Sequence, residues 1–205
     1  MRRIPLIALI AALYVGSTPA TADAQLLFRG VEFWGGQYAW SGDDVDSFEA
    51  GFRGGFGLWA ELTPGLGVGL EGVTGGFDSP GVGRAIRTRW DDSGANLVVR
   101  QALGGRTGIH PFVEGRFGWT RINTTAPSPT QGEVLVVQED GLSYGAEVGV
   151  EIPLNRRARV VAAGGATLRD YGEANLAAVG LAATSSFSVI RWGFRLGISI
   201  GRAVD

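Results

Sequence analysis

Residues 190–201 read Ile190-Arg191-Trp192-Gly193-Phe194-Arg195-Leu196-Gly197-Ile198-Ser199-Ile200-Gly201. Ile190, Trp192, Phe194, Leu196, Ile198 and Ile200 take every second place, and Arg191, Gly193, Arg195, Gly197, Ser199 and Gly201 take the others. Successive side chains of an extended strand point to opposite faces. A period of two is therefore a β-strand with one unbroken apolar face and one small or charged face.

The same alternation recurs upstream. Phe52, Phe56, Leu58, Ala60 and Leu62 oppose Arg53, Gly55, Gly57, Trp59 and Glu61, and Leu66, Val68 and Leu70 oppose Gly67, Gly69 and Glu71. Val113, Phe117 and Trp119 oppose Glu114, Arg116 and Gly118, and Leu142 to Ile152 oppose Ser143, Gly145, Glu147, Gly149 and Glu151. Weaker versions run through 28–40, 95–103 and 159–169, which makes eight strands in all. Thr63-Pro64-Gly65, residues 104–108 and residues 153–157 carry the Pro, Gly and Asn of tight turns. The remaining connections, near 41–49, 78–93, 123–140 and 171–185, read as longer polar loops. An antiparallel up-and-down sheet places the turns at one end and the loops at the other.

Periodicity alone does not say which face is inside, because a soluble lipocalin-like barrel with an apolar cavity alternates in the same way. Three features favour the inverted, membrane-spanning arrangement. The polar face is rich in Gly, which weakens a strand in water but suits the narrow interior of an eight-stranded barrel. The apolar face of residues 190–200 carries no charge, as a lipid-facing band requires. The charges on the other face come in both signs: Glu61, Glu71, Glu114, Glu147 and Glu151 against Arg53, Arg100, Arg116, Arg159, Arg191 and Arg195. A closed interior can pair them. The expected fold is an all-β, eight-stranded, antiparallel up-and-down transmembrane β-barrel.

Composition agrees. The chain has 205 residues, 34 of them Gly, no Cys, one His and a net charge of −2. These values exclude a disulfide scaffold, a thiol enzyme and a basic nucleic-acid binder. Near the start, Arg2 and Arg3 precede an apolar run from Ile4 to Val15 and an Ala22-Asp23-Ala24 cleavage pattern. Twelve apolar residues rise only ~18 Å as a helix, against ~30 Å of hydrocarbon core. Residues 1–24 are thus expected to be a signal peptide and 25–205 the barrel domain.

This set of features resembles the small eight-stranded outer-membrane barrels of Gram-negative bacteria, the OmpA transmembrane domain and OmpX type. The resemblance implies a bacterial outer-membrane location, with the short turns in the periplasm and the loops outside the cell. It also implies a monomer in contact with outer-membrane lipid and lipopolysaccharide, inserted by the barrel assembly machinery, with a structural or surface-interaction role. One departure is that such barrels end in an aromatic residue, where this chain has Ile200 followed by Gly201-Arg202-Ala203-Val204-Asp205.

Residues with recognisable chemistry are few. Gly67-Val68-Gly69-Leu70-Glu71-Gly72 spells a dinucleotide-binding motif, but it lies inside an alternating strand and not between a strand and a helix. His110 follows a short turn, away from the outer leaflet where a lipid-modifying enzyme would work. Asp43, Asp44, Asp46 and Glu49, with Asp91 and Asp92, read as acidic loops that lack a calcium-loop pattern. Arg84, Arg87 and Arg89 read as loop charges near a strand end, with contact to lipopolysaccharide phosphates as the alternative. No catalytic, cofactor-binding or metal-binding set is assigned. Trp34, Trp40, Trp59, Trp119, Trp192 and Tyr144 include candidates for interfacial aromatic girdles. The residues singled out are the interior charges Arg53, Glu61, Glu71, Arg100, Glu114, Arg116, Glu147, Glu151, Arg191 and Arg195, with a structural role. Two alternatives are a lipid-modifying outer-membrane enzyme and a soluble periplasmic barrel holding an apolar ligand.

Overall fold

The computed structural model describes residues 27–41, 50–80, 87–104, 108–128, 132–171 and 188–201. The expected signal peptide, the acidic segment Asp43 to Glu49, Arg84 and the residues after Gly201 lie outside these. Eight strands run in chain order: β1 (Leu27–Ser41), β2 (Gly51–Thr63), β3 (Leu66–Pro80), β4 (Arg87–Ala102), β5 (His110–Ser128), β6 (Gly132–Pro153), β7 (Ala158–Asp170) and β8 (Ser188–Gly201). Each pairs antiparallel with the next, and β8 pairs with β1 from Gly30↔Gly201 to Ser41↔Ile190, which closes the barrel. Closure leaves no sheet edge, so backbone polar groups along the wall are satisfied within the sheet.

The apolar face is outside. Phe33, Phe56, Leu70, Phe117, Val148, Trp192, Phe194 and Leu196 are all exposed, while Glu32, Glu71, Arg100, Glu114, Arg116 and Arg195 are buried. A soluble barrel with an apolar cavity would show the reverse. Of the aromatic girdle candidates, Trp119, Tyr144 and Trp192 stand on the outward face. Trp34 and Trp59 are buried in the lumen, and Trp40 shares their parity, with its ring against Tyr38 and Phe77.

The lumen is filled by matching large residues to small ones across strands. Trp34, Gly36 and Tyr38 of β1 face Gly197, Arg195 and Gly193 of β8 in register. Gly55 shows why the small partner is obligatory. A Cβ there would lie 2.7 Å from the Trp34 ring and 2.7 Å from the Gly72 carbonyl oxygen.

Two of the four expected long loops are mostly strand. The segment 78–93 leaves only 81–86 between β3 and β4, and 123–140 leaves only 129–131 between β5 and β6. Asp78↔Arg89, Asn123↔Gln138 and Ser128↔Gly132 all lie in the ladder. Beyond the apolar band neither face needs to be hydrophobic, so the alternation fades while backbone pairing continues. The turns at the other end are tight. Gly65 has φ +86°, its N–H donates to Glu61 at 3.0 Å, and its carbonyl accepts from Ala102 at 2.7 Å. Asn155 Oδ1 accepts from the N–H groups of Arg157 and Ala158, which caps the β6–β7 turn.

Gly55→Val should displace the Trp34 indole and lower stability by roughly 1–3 kcal/mol, the usual cost of overpacking. Gly35→Ala, on the outward face with its nearest contact at 3.8 Å, should leave the urea midpoint of the detergent-solubilised barrel unchanged. Equal midpoints for the two variants would contradict this account of the lumen.

Candidate functional site

The alternation that turns the apolar residues outward sends a charged set into the lumen, where it forms one network. Three arginines from different strands each contact three carboxylates. Arg100 of β4 meets Glu32 at 2.9 Å, Glu114 at 2.7 Å and Glu151 at 2.8 Å. Arg116 of β5 meets Glu71 at 3.2 Å, Glu114 at 2.7 Å and Glu147 at 3.0 Å. Arg195 of β8 meets Glu32, Glu114 at 3.1 Å and Glu147 at 2.8 Å. Glu114 touches all three arginines and is the centre of the set. Nearer the turn end, Arg29 and Arg159 meet Glu151 at 3.1 and 2.8 Å.

Neutral groups complete the hydrogen bonding. The Trp34 indole N–H donates to Glu71 at 2.9 Å, and Asn96 Nδ2 donates to its other oxygen at 3.1 Å. Asn96 in turn accepts from the Ser143 hydroxyl at 2.7 Å. The Arg100 guanidinium lies between two rings, 4.1 Å from the Trp59 centroid and 4.4 Å from that of Phe112. Cation–π contact adds to the ion pairs in a space without bulk water.

A second cluster occupies the half of the lumen away from the turns. Asp92 meets Arg169 at 2.8 Å, Arg191 at 2.5 Å and Arg53 at 3.9 Å. Arg169 also donates to the Thr120 hydroxyl and, at 3.2 Å, to Tyr171. The sequence places Asp92 in a solvated acidic loop. It is instead 1% exposed inside β4, where period two sends Asp91 outward and Asp92 inward. Asp91 meets Arg89 at the surface, 3.2 Å away.

Of the ten interior residues singled out in the sequence, nine make ion pairs in these two clusters. Glu61 sits at the turn end and accepts from Gly65. The sequence reading missed Glu32, Asp92, Arg29 and Arg169. For Asp92 the signal was present: the even positions Asn96 and Arg100 face inward, and the same parity carried back reaches Asp92. The letters of the dinucleotide motif fall within β3, with Gly67 and Gly69 turned toward the Trp59 ring. His110 begins β5 opposite Glu151 and lines a cavity of about 300 Å³ at the turn end, together with Arg29, Glu61, Gln101 and Arg159. Among the described residues no group of three or more His, Cys, Asp or Glu is placed to hold a metal ion.

Glu114→Gln should destabilise the barrel by roughly 3–5 kcal/mol, because three buried guanidiniums lose their shared counter-charge. Asp140→Asn removes an exposed partner of Arg121, 2.7 Å away, and should leave the urea midpoint where it is. Comparable midpoint shifts in the two variants would show that burial of the network contributes nothing special.

No protein-family model and no curated protein sequence matches the chain. Solved structures do. Neisserial surface protein A (NspA) aligns over 83% of this chain and 95% of its own, with 12% identity and a TM-score of 0.54. Ail, the attachment invasion locus protein of Yersinia pestis, aligns over 84% and 96%, with 12% identity and a TM-score of 0.49. The outer membrane protein OprG from Pseudomonas aeruginosa aligns over 89% and 100%, with 15% identity and a TM-score of 0.45. At these identities the likeness is one of fold, and the chain shares with NspA the closed, eight-stranded, antiparallel barrel.

Proposed function

We propose that this protein is an integral barrel of the bacterial outer membrane, closed to bulk flow, with a structural or surface-contact role carried by the segments at the end away from the turns. The observation that carries the reading is the outward apolar band. On β8 it runs from Ile190 to Ile200, ten residue steps without an outward charge. At ~3.3 Å per residue and a tilt of roughly 40°, that band stands about 25 Å tall, the height of an outer-membrane hydrocarbon layer. Outward polar residues appear just above it: Asp91 of β4, Arg121 of β5, Asp140 of β6 and Asp170 of β7. Arg121 lies 5.1 Å from the Trp119 ring, so charge and aromatic meet at the level where lipid gives way to water.

The two charge clusters fill the lumen of a barrel already narrow at eight strands, which supports a closed protein and not a porin. The reading is non-enzymatic. His110 stands at the turn end, opposite the outer leaflet that a lipid-modifying enzyme would reach. The partners that follow are outer-membrane lipid and lipopolysaccharide, and the assembly machinery that inserts barrels. Extension of β3 to β6 beyond the band gives a rigid stalk for whatever the outer segments meet, since function on barrels concentrates in segments held by a fixed scaffold.

Fractionation of cells expressing the full chain should place the protein with outer membranes, and unboiled and boiled samples should migrate differently on a gel. Recovery as a soluble periplasmic protein would overturn the reading. In planar bilayers the purified barrel should show no steady porin-like conductance, and an open-channel signal would overturn the closed lumen.

A further inference from the structure

Charge is not matched evenly along the lumen. Among the described residues of the half nearer the turns, Glu32, Glu61, Glu71, Glu114, Glu147 and Glu151 accompany Arg29, Arg100, Arg116, Arg159 and Arg195, six carboxylates to five guanidiniums. In the other half, Asp92 is the one carboxylate within ion-pair distance of Arg53, Arg169 and Arg191 among the described residues. Glu139, in register with the buried Ile122, forms no ion pair with any of the three. Among the described residues, three buried positive charges therefore share one paired negative charge.

Between the two clusters lies a cavity of about 30 Å³. Four arginines line it (Arg53, Arg116, Arg191 and Arg195) against one carboxylate, Glu147, which Arg116 and Arg195 already engage. Four donors belonging to its lining residues are buried without a hydrogen-bond partner among the described residues, Arg53 Nε, Arg116 Nη2, Arg191 Nη2 and the Tyr38 hydroxyl, and of these Arg116 Nη2 is within ion-pair reach of Glu71 and Glu114. The Arg53 side chain is 8% exposed and that of Arg191 2%. Tyr38 is held beside Arg191, whose guanidinium lies 4.6 Å from its ring centroid. A buried donor left unmade is costly, and more so when it is charged.

We infer that this cavity binds a small monovalent anion of the halide class, seated between Arg53 and Arg191 and capped by the Tyr38 hydroxyl. Two considerations fix the class. The volume suits one or two water-sized bodies, which excludes a phosphate or a sugar acid. Water would satisfy the open donors and leave the excess charge in place, whereas an anion answers both. A multivalent cation is excluded by the four guanidiniums.

Crystals of the detergent-solubilised barrel soaked in sodium bromide give a direct test, because bromide scatters anomalously. A bromide peak within hydrogen-bond reach of Arg53 Nε and Arg191 Nη2 is expected. Water alone at that position, a carboxylate of the outer segments seated there, or bromide confined to the protein surface would each overturn the assignment. In solution, the urea midpoint of the native barrel should rise with chloride when gluconate keeps the ionic strength constant, and a flat response would overturn the proposal. Arg53→Gln should weaken the apparent halide affinity about tenfold or more. Tyr38→Phe, which keeps every charge and serves if the first variant does not fold, should weaken it by a smaller factor. An unchanged halide response in a folded variant of either kind would place the anion elsewhere.

Discussion

A guanidinium sealed from water must find its counter-charge inside the protein, and in this barrel that requirement reaches across the lumen. Neighbouring strands are already joined by backbone hydrogen bonds. Some of the ion pairs also link strands that are not neighbours: Arg195 of β8 to Glu114 of β5, Arg100 of β4 to Glu32 of β1, and Arg116 of β5 to Glu71 of β3. Opposite walls are thereby tied through the centre. A one-residue slip of any strand would turn its charges to the outside and its apolar residues to the lumen. The network therefore specifies register as well as contributing energy, and Glu114, shared by the arginines of β4, β5 and β8, lies at its centre.

The glycine content follows from the same constraint. An eight-stranded lumen has little width, and long arginines with their aromatic neighbours consume most of it. Many large inward residues have a small one opposite, and the β1–β8 seam shows the pattern in its simplest form: Trp34 with Gly197, Arg195 with Gly36, Tyr38 with Gly193. Glycine is unfavourable in an isolated strand, yet here it admits the side chains that carry the charge network. The cost in strand propensity is offset by packing that no larger residue permits.

These principles explain what could be read from the chain and what could not. The eight strands and the inverted faces were legible because residues 190–200 have two wholly different faces, and the contrast repeats around the barrel. The upper reaches of β3 to β6 were not legible. Above the lipid band Thr88, Asn123 and Gln138 meet water or polar neighbours on either side, so no alternation marks a strand that backbone pairing still maintains. Asp92 was misread where that contrast fades, as one of an acidic doublet with Asp91. Glu32 was missed because β1 carries a register shift between Phe28 and Gly30 and its apolar face is interrupted by Gly35 and Gln37. Which charges would lie inside was largely readable from parity. Which would meet was not, since Arg195 and Glu32 are 163 residues apart in sequence and come together only when β8 closes on β1.

The lumen contains two answers to one electrostatic problem. Toward the turns the compensation is built into the chain: every guanidinium has carboxylates from its own strands, fixed in number and place. Toward the outer end the chain supplies one carboxylate for three guanidiniums and leaves buried donors open beside a small cavity. Built-in acids make the first half indifferent to the composition of the medium. The second half draws its missing charge from an exchangeable ion, so its neutrality depends on what the surroundings provide. The permanent part lies beside the tight turns, and the adjustable part lies toward the opposite end of the strands. That polarity follows from where eight strands place Asp92 and its three arginines.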